Sequence, residues 1–227
     1  MEKIRTATSG EVDFYTNKFY PFQDEVFELI QSDEFYLSGG TCLSRFYFDH
    51  RFSDDLDFFF DGYSFSQESF AISYRKIVNR LNEKFQVSVS LESDFFKRII
   101  LYKNEIPLKV EFIFENYRGI GKRKICRKIF IDSKENIATN KLTTVYDRRS
   151  NKDFIDLYYL LQEFTIPQLS EWTKTKIVPL VYEDVVTAFS GHKLEGTVLL
   201  KKTIREPEFN LFVKNLLKNL LKHAGNS

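Results

Sequence analysis

The sequence predicts an α+β protein, with an α+β module over residues 1–131 followed by a helical module over residues 132–227. Three observations predict this. Three consecutive runs between residues 86 and 114 have strand character. After about residue 133 the apolar spacing becomes helical. The chain has 227 residues, 43% of them hydrophobic, enough to bury a sizeable core.

The elements follow in order. Residues 21–32 (PFQDEVFELIQS) carry Phe22, Val26, Leu29 and Ile30 at helical spacing, and Pro21 suits a first turn. Phe35-Tyr36-Leu37 is a short strand that runs into Gly39-Gly40. Residues 41–48 form a short helix with Leu43, Phe46 and Tyr47 on one side. Residues 55–60 (DLDFFF) read as a strand, and Asp61-Gly62 as a turn. Residues 66–84 form an amphipathic helix carrying Phe70, Ile77, Val78 and Leu81. Strands follow at 86–92, 96–102 and 106–114, with Asn104-Glu105 as a hairpin turn. In the last of these, Leu108, Val110, Phe112 and Phe114 share one face, while Lys109, Glu111 and Ile113 share the other. The glycine-punctuated stretch 118–128 is a connector or an edge strand. Helices are expected at 134–147, 151–164, 168–188 and 206–223.

Composition excludes several classes. With 24 Phe and 12 Tyr the chain is not disordered. No window reaches 18 uninterrupted apolar residues, so no membrane span is expected. The first 15 residues lack the apolar segment of a secretory leader. Two cysteines and three scattered histidines give neither a disulfide framework nor a zinc spacing. A reduced, cytoplasmic protein is expected. Cys42 reads as a small packed residue, since no His–Asn/Asp arrangement activates it.

The net charge of +1 conceals an uneven distribution. Residues 1–62 hold 13 acidic and 5 basic side chains, a net of −8, and residues 97–128 hold 10 basic and 3 acidic, a net of +7. Arg118, Lys122, Arg123, Lys124, Arg127 and Lys128 follow one another without an intervening acid. Such asymmetry suits a cation site and a polyanion site on one molecule, and equally two solvated surfaces.

The chemistry concentrates in Ser38-Gly39-Gly40-Thr41 and, further on, Arg51-Phe52-Ser53-Asp54-Asp55-Leu56-Asp57. A strand feeds a glycine pair that opens a helix, where backbone N–H groups can cradle phosphate oxygens. On a strand, Asp55 and Asp57 point to one face, and two parallel carboxylates repel unless a hard divalent cation sits between them. Glu111, between Val110 and Phe112 on another strand, is the candidate third carboxylate. Together these describe metal-assisted phosphoryl or nucleotidyl transfer. Taken singly, each has a plain structural alternative: an ordinary turn, acids facing water, and a Glu111–Lys109 pair. His50 either touches a phosphate or makes a local structural hydrogen bond.

Gly39-Gly40-Thr41, His50-Arg51-Phe52-Ser53 and Asp55-Leu56-Asp57-Phe58-Phe59 resemble the AbiEii/AbiGii toxin family of nucleotidyltransferases. Lys141-Leu142, Arg149 and Lys152-Asp153-Phe154-Ile155-Asp156-Leu157-Tyr158 resemble the family's second block, so the resemblance spans roughly residues 35–161. It implies a DNA polymerase β-like nucleotidyltransferase core, a mixed sheet with flanking helices, followed by a C-terminal helical bundle. It implies Mg2+ or Mn2+ on Asp55 and Asp57, with Glu111 as the third ligand or as the base for the attacking hydroxyl, although the family often has Asp at the third position. The nucleotide-binding set it implies is Ser38, Gly39, Gly40, Thr41, Arg51, Ser53, Lys141 and Arg149, with Asp153 and Asp156 completing the site. The implied donor is an NTP. The implied acceptor is RNA, the 3′ end of tRNA being one known for relatives, and the implied partner is an antitoxin.

The second block also has its own logic. Arg149, Asp153 and Asp156 gather on one side of a helix, and Lys152 and Asp156 are four apart. A cation facing the DLD carboxylates makes sense with a polyphosphate between them. The alternative is helix capping and surface ion pairing. The six basic residues of 118–128 fit RNA phosphates, an acidic antitoxin surface or a solvated loop. Other acceptors, a protein hydroxyl or a small molecule such as an aminoglycoside, stay open. A catalytically idle antitoxin-binding module is opposed by the presence of Asp55, Asp57 and Lys141.

Overall fold

The computed structural model describes residues 4–144, 150–176 and 196–224. Its centre is a seven-stranded mixed sheet. We label the strands β1 (Ile4–Thr6), β2 (Phe35–Ser38), β3 (Leu56–Asp61), β4 (Gln86–Glu92), β5 (Phe96–Lys103), β6 (Ile106–Glu115), β7 (Lys124–Cys126), β8 (Ile129–Ile131) and β9 (Val198–Leu200). The sheet order is β4-β5-β6-β3-β2-β8-β7. β3 runs parallel to β6 and antiparallel to β2, which puts two strand ends and the glycine turn after Ser38 at the middle of the sheet.

One sheet face is the core. Leu56, Phe58 and Phe60 of β3, and Leu108, Val110 and Phe112 of β6, are fully buried. They pack into one cluster with Phe22, Val26 and Phe27 of α2 (Tyr20–Leu29) and Phe70, Ile77 and Leu81 of α4 (Gln67–Asn82). Strand alternation sends Asp57 and Glu111 to the opposite face. That face meets α5 (Lys134–Thr144) across a cleft. α6 (Asn151–Leu160), α7 (Ile166–Thr173) and α8 (Glu206–Ala224) complete the described helices.

The structure differs from the sequence reading in two places. The first helix begins at Ser9, capped by Thr8 and Glu11, and runs as α1 (Ser9–Phe14) through a π-helical turn over Tyr15–Phe19 into α2. Pro21 therefore sits inside a continuous helix. It has no N–H to give back along the helix, and the widened turn just before it accommodates that loss. The second helix likewise starts earlier, at Gly39, as α3 (Gly39–Cys42) followed by a π-helical turn over Leu43–Tyr47.

Of the two readings of the stretch 118–128, the structure has the edge strand, β7, joined to β8 by Arg127 and Lys128 at φ +48° and +65°. The same left-handed pair recurs at Asn104-Glu105, with φ +48° and +64°. Second, the C-terminal part is not only helical. β9 pairs in parallel with β1, so the two ends of the chain share a small sheet. Arg51 bridges to Leu200 of this sheet, and the Phe52 N–H donates to the Leu199 carbonyl at 2.8 Å. Of the helix expected at 168–188, residues 177–188 lie outside the described residues.

Candidate active site

The sheet register builds the acidic end of the site. Asp57 stands opposite Glu111 on β6 and Ser38 on β2. Asp55 precedes Leu56 and is partly exposed, and Asp57 is half-buried. Lys109 Nζ lies 3.0 Å from Asp55 Oδ2 and 3.2 Å from Glu111 Oε1, while Arg98 of β5 donates through Nε to Glu111 Oε1 at 2.8 Å. Burial, Glu111 and Asp55 push the Asp57 carboxyl up to about 7. Burial also opposes ionisation of Glu111, but Lys109 and Arg98 outweigh it and hold its carboxyl below the usual range.

The glycine turn is shaped by what touches it. Gly39 has φ +69°, and a Cβ there would lie 2.5 Å from Asp57 Oδ2. A Cβ on Gly40 would lie 2.1 Å from Arg51 Nη2. That guanidinium is buried and bonded on three sides, so it has no room to yield. Gly40→Ala is therefore expected to destabilise the protein by at least ~2 kcal/mol through displacement of Arg51. Urea unfolding of the variant checks this, and wild-type stability would contradict it. Thr41 is buried, its hydroxyl donating to the Asp55 carbonyl and lying 2.8 Å from Ser53 Oγ. Thr41 and Ser53 thus pin the entry of the DLD strand to the glycine helix. Ser38 Oγ donates to Asp132 Oδ2 at 2.7 Å.

The helical half contributes a buried charge cluster. Lys141 Nζ is 2.6 Å from Asp153 Oδ1 and 2.7 Å from Asp156 Oδ2. Arg51 reaches Asp156 through Nε at 2.8 Å and Nη2 at 2.9 Å, and His50 Nε2 meets Asp156 Oδ1 at 2.8 Å. Burial alone would lower the Lys141 ammonium, but Asp156 and Asp153 more than offset it, so Lys141 stays charged. Burial opposes the Asp156 charge too, yet Arg51, Lys141 and His50 hold its carboxyl well below the usual range. Burial pushes His50 down and leaves it neutral, with Nδ1 lacking a hydrogen-bond partner among the described residues.

Two expectations change here. Lys152 does not pair with Asp156 along the helix but reaches Asp54 at 3.1 Å, because Asp156 is turned inward to Arg51. The cluster is interior rather than a set of surface pairs, so loss of Lys141 would also burden the fold. Arg149 lies outside the described residues.

A cleft of about 480 Å3 joins these parts. Its lining includes Gly39, Gly40, Asp57, Glu111 and Lys141. Asn140, which sequence reasoning missed, lines it as well, one residue before Lys141 on α5. Its amide is held by Lys176 and lies 3.4 Å from Glu115 Oε1, and Lys176 pairs with Glu115 at 2.9 Å. No local pattern announces Glu115 or Lys176, since the pair joins residues 61 apart.

Asp132, also missed, is buried beneath Ser38 and accepts from Asn136 Nδ2 at 2.9 Å. Burial raises its carboxyl from the ordinary 3.8 to about 6 in spite of these donors. A carboxyl raised in the fold binds its proton more tightly there than in the unfolded chain. Stability from this group is therefore full below about pH 4 and lost as pH rises through 6. Asp132→Asn should remove that loss, improving by ~2–3 kcal/mol relative to wild type between pH 4.5 and 7.5. Urea unfolding at the two pH values measures it, and a pH-independent difference would contradict it.

The basic stretch is partly neutralised by the acidic N-terminal region. Arg123 pairs with Asp61 at 2.8 Å and lies over the Tyr36 ring, Arg127 pairs with Asp24 at 2.5 Å, and Lys128 with Glu28 at 2.6 Å. Arg118, Lys122 and Lys124 are exposed and have no ion pair among the described residues. The unopposed run of six charges in the sequence is thus a set of three in the fold, because tertiary contacts bring acids that sequence neighbours do not supply.

Asp55 and Asp57 fit a hard divalent cation. Both are oxygen donors on one strand face, and Asp57 has no ion-pair partner among the described residues, while burial, Glu111 and Asp55 oppose its charge. Among the described residues no three acidic, His or Cys side chains converge closely enough to hold an ion. Glu111 is turned to Arg98 and Lys109 instead.

Residues 26–222 match the family model described as nucleotidyl transferase AbiEii toxin, type IV TA system. A relative from Aquifex aeolicus (strain VF5), the uncharacterized protein aq_aa25, is 30% identical over 163 residues, covering 67% of this chain and 71% of its own. The fold is similar to JHP933 from Helicobacter pylori, with TM-score 0.60 and 17% identity over 97% of this chain and 96% of that one. It is also similar to MenT4, the nucleotidyltransferase toxin Rv2826c of Mycobacterium tuberculosis H37Rv, with TM-score 0.60 and 15% identity over 95% and 90% of the two chains. These likenesses agree with the mixed sheet and flanking helices described above. With a family match across most of its length, the chain belongs to the AbiEii family of nucleotidyltransferase toxins.

Proposed function

We propose that this nucleotidyltransferase toxin transfers a nucleotide from an NTP to an RNA acceptor, with the 3′ end of tRNA as the favoured target, in a reaction that depends on Mg2+ or Mn2+. The observation that carries the reading is the single cleft lined by Gly39, Gly40, Asp57 and Lys141. Its volume of about 480 Å3 suits a nucleotide. In this reading an acceptor hydroxyl forms a bond to the α-phosphorus, the bond from that phosphorus to pyrophosphate breaks, and the hydroxyl proton passes to water. Asp55 and Asp57 would hold a divalent cation, which would neutralise charge on the triphosphate. Gly39 and Gly40 give the phosphates close approach to backbone. Lys141, kept charged by Asp153 and Asp156, faces the negative charge that grows on the leaving pyrophosphate.

The division of labour we propose follows the chain. Residues 1–131 carry the carboxylates and the glycine turn, and residues 132–227 carry Lys141 and its buried acids. The family also supports an antitoxin as partner. Among the described residues no helix is long and apolar enough to cross a membrane, which accords with our proposal of a cytoplasmic protein.

The test is incubation of the protein with each labelled NTP and total RNA. Label in RNA supports the reading. Label in protein or in a small molecule, with none in RNA, would replace it. For the acceptor contact, Arg118, Lys122 and Lys124 are the free positive charges. Their triple replacement by Ala is expected to flatten the salt dependence of RNA binding by about 2 to 3 in log–log slope. An Arg123, Arg127 and Lys128 triple-Ala variant should change it less. Equal slopes for the first variant and wild type would remove the stretch from RNA binding and favour an antitoxin contact.

A further inference from the structure

We propose that Lys109 is the resident counter-ion of Asp55 and Glu111 and competes with the divalent cation for this site. Its ammonium neutralises Asp55 and Glu111 in the metal-free protein, and the cation binds by displacing it. This rests on the metal-dependent reading above.

The geometry is specific. Lys109 and Glu111 share a face of β6, and β6 lies beside β3 with Asp57 opposite Glu111. The ammonium reaches across the strand pair to Asp55 Oδ2 at 3.0 Å and along its own strand to Glu111 Oε1 at 3.2 Å. It therefore sits where two carboxylates from neighbouring strands would otherwise repel.

The local charges make the competition. Asp55, Asp57 and Glu111 place three carboxyl groups here, and Lys109 with Arg98 brings two positive charges. Lys141 lines the same cleft, but its ammonium is bonded to Asp153 and Asp156 and to none of these three carboxyl groups. A divalent cation on Asp55 and Asp57 would stand beside an ammonium already bonded to one of its ligands, and like charges at such range repel strongly. One of the two must leave.

Residue type decides which cation yields. Lysine is a compact charge on a flexible stem, and the Lys109 side chain is 33% exposed, so it can swing to water. Arg98 can remain on Glu111 through its 2.8 Å bond and keep that carboxylate in place. A purely structural surface pair would contribute little to stability and would not alter metal affinity.

The test uses the full-length protein and Mn2+ alone, with free Mn2+ read by electron paramagnetic resonance. Lys109→Met is expected to bind Mn2+ about tenfold more tightly than wild type, because a like charge beside the metal is gone. Lys109→Arg, which keeps the charge, should return affinity to within about twofold of wild type. In EDTA, Lys109→Met should unfold at a lower temperature than wild type, and Mn2+ should close the gap. Equal or weaker Mn2+ binding by Lys109→Met overturns the proposal. If Lys109→Met fails to fold, Lys109→Gln is read by the same criteria. Asp57→Asn separates the two levels of inference. Loss of Mn2+ binding there, with Lys109→Met unchanged from wild type, leaves the metal reading standing and overturns the role of Lys109. Absence of Mn2+ binding by wild type overturns both.

Discussion

Asp57→Asn is expected to lower nucleotide transfer by ~10^3-fold or more while leaving the protein folded. Asp57 is the carboxylate at the centre of the cleft, between Ser38 of β2 and Glu111 of β6. It has no ion-pair partner among the described residues, and burial with Glu111 and Asp55 makes its charge the least comfortable in the site. A group in that state is poised to gain most from an arriving cation, and its loss removes the site for that cation. Asparagine keeps the shape, which matters because the Gly39 backbone packs directly against this side chain. It also relieves repulsion, so thermal unfolding in EDTA should show a variant at least as stable as wild type. Label transfer measures the activity. Wild-type transfer by Asp57→Asn would remove the DLD strand from the chemistry.

Asp156→Asn destabilises the protein by ~3–5 kcal/mol, because it leaves buried cations without their shared acid. Asp156 accepts from Arg51, His50 and Lys141, and all four side chains are nearly or fully buried. Lys141 retains Asp153 after the change, but Arg51 loses the carboxylate's charge and one of its two bonds, and the new amide NH2 faces a donor in place of an acceptor. The double variant Arg51→Met with Asp156→Leu should recover much of the loss, since an apolar pair leaves no buried charge unpaired. Urea unfolding of the two single variants and the double variant measures the coupling. A single-variant cost below about 1 kcal/mol would show that water or a neighbouring group satisfies Arg51.

Two local periods account for what could be read early. Strand alternation fixes that Leu56, Phe58 and Phe60 face the core while Asp57 faces away, and the same alternation separates Val110 and Phe112 from Glu111. The spacing of Phe70, Ile77 and Leu81 fixes the buried side of α4. The glycine pair, the DLD strand and the Lys141 and Asp153–Asp156 blocks were visible as residue types at fixed offsets. These belong to neighbouring positions, so the sequence alone determined them.

Tertiary structure decided which charges meet. Arg51 appears in the sequence as part of the motif before the DLD strand, and the fold turns it inward to an acid 105 residues away. The basic run 118–128 looks unopposed along the chain, yet Asp61, Asp24 and Glu28 come to Arg123, Arg127 and Lys128 from the first third of the sequence. Glu111 and Lys109 are two residues apart and announce a pair. That the pair extends to Asp55 depends on β6 lying parallel to β3, which nothing local encodes. The strands β1 and β9 escaped notice for the same reason: three-residue segments at opposite ends of the chain have no pattern until they pair. Backbone periodicity is a property of neighbours, whereas electrostatic and hydrogen-bond partners are set by distances in space, and those exist only once the sheet has assembled.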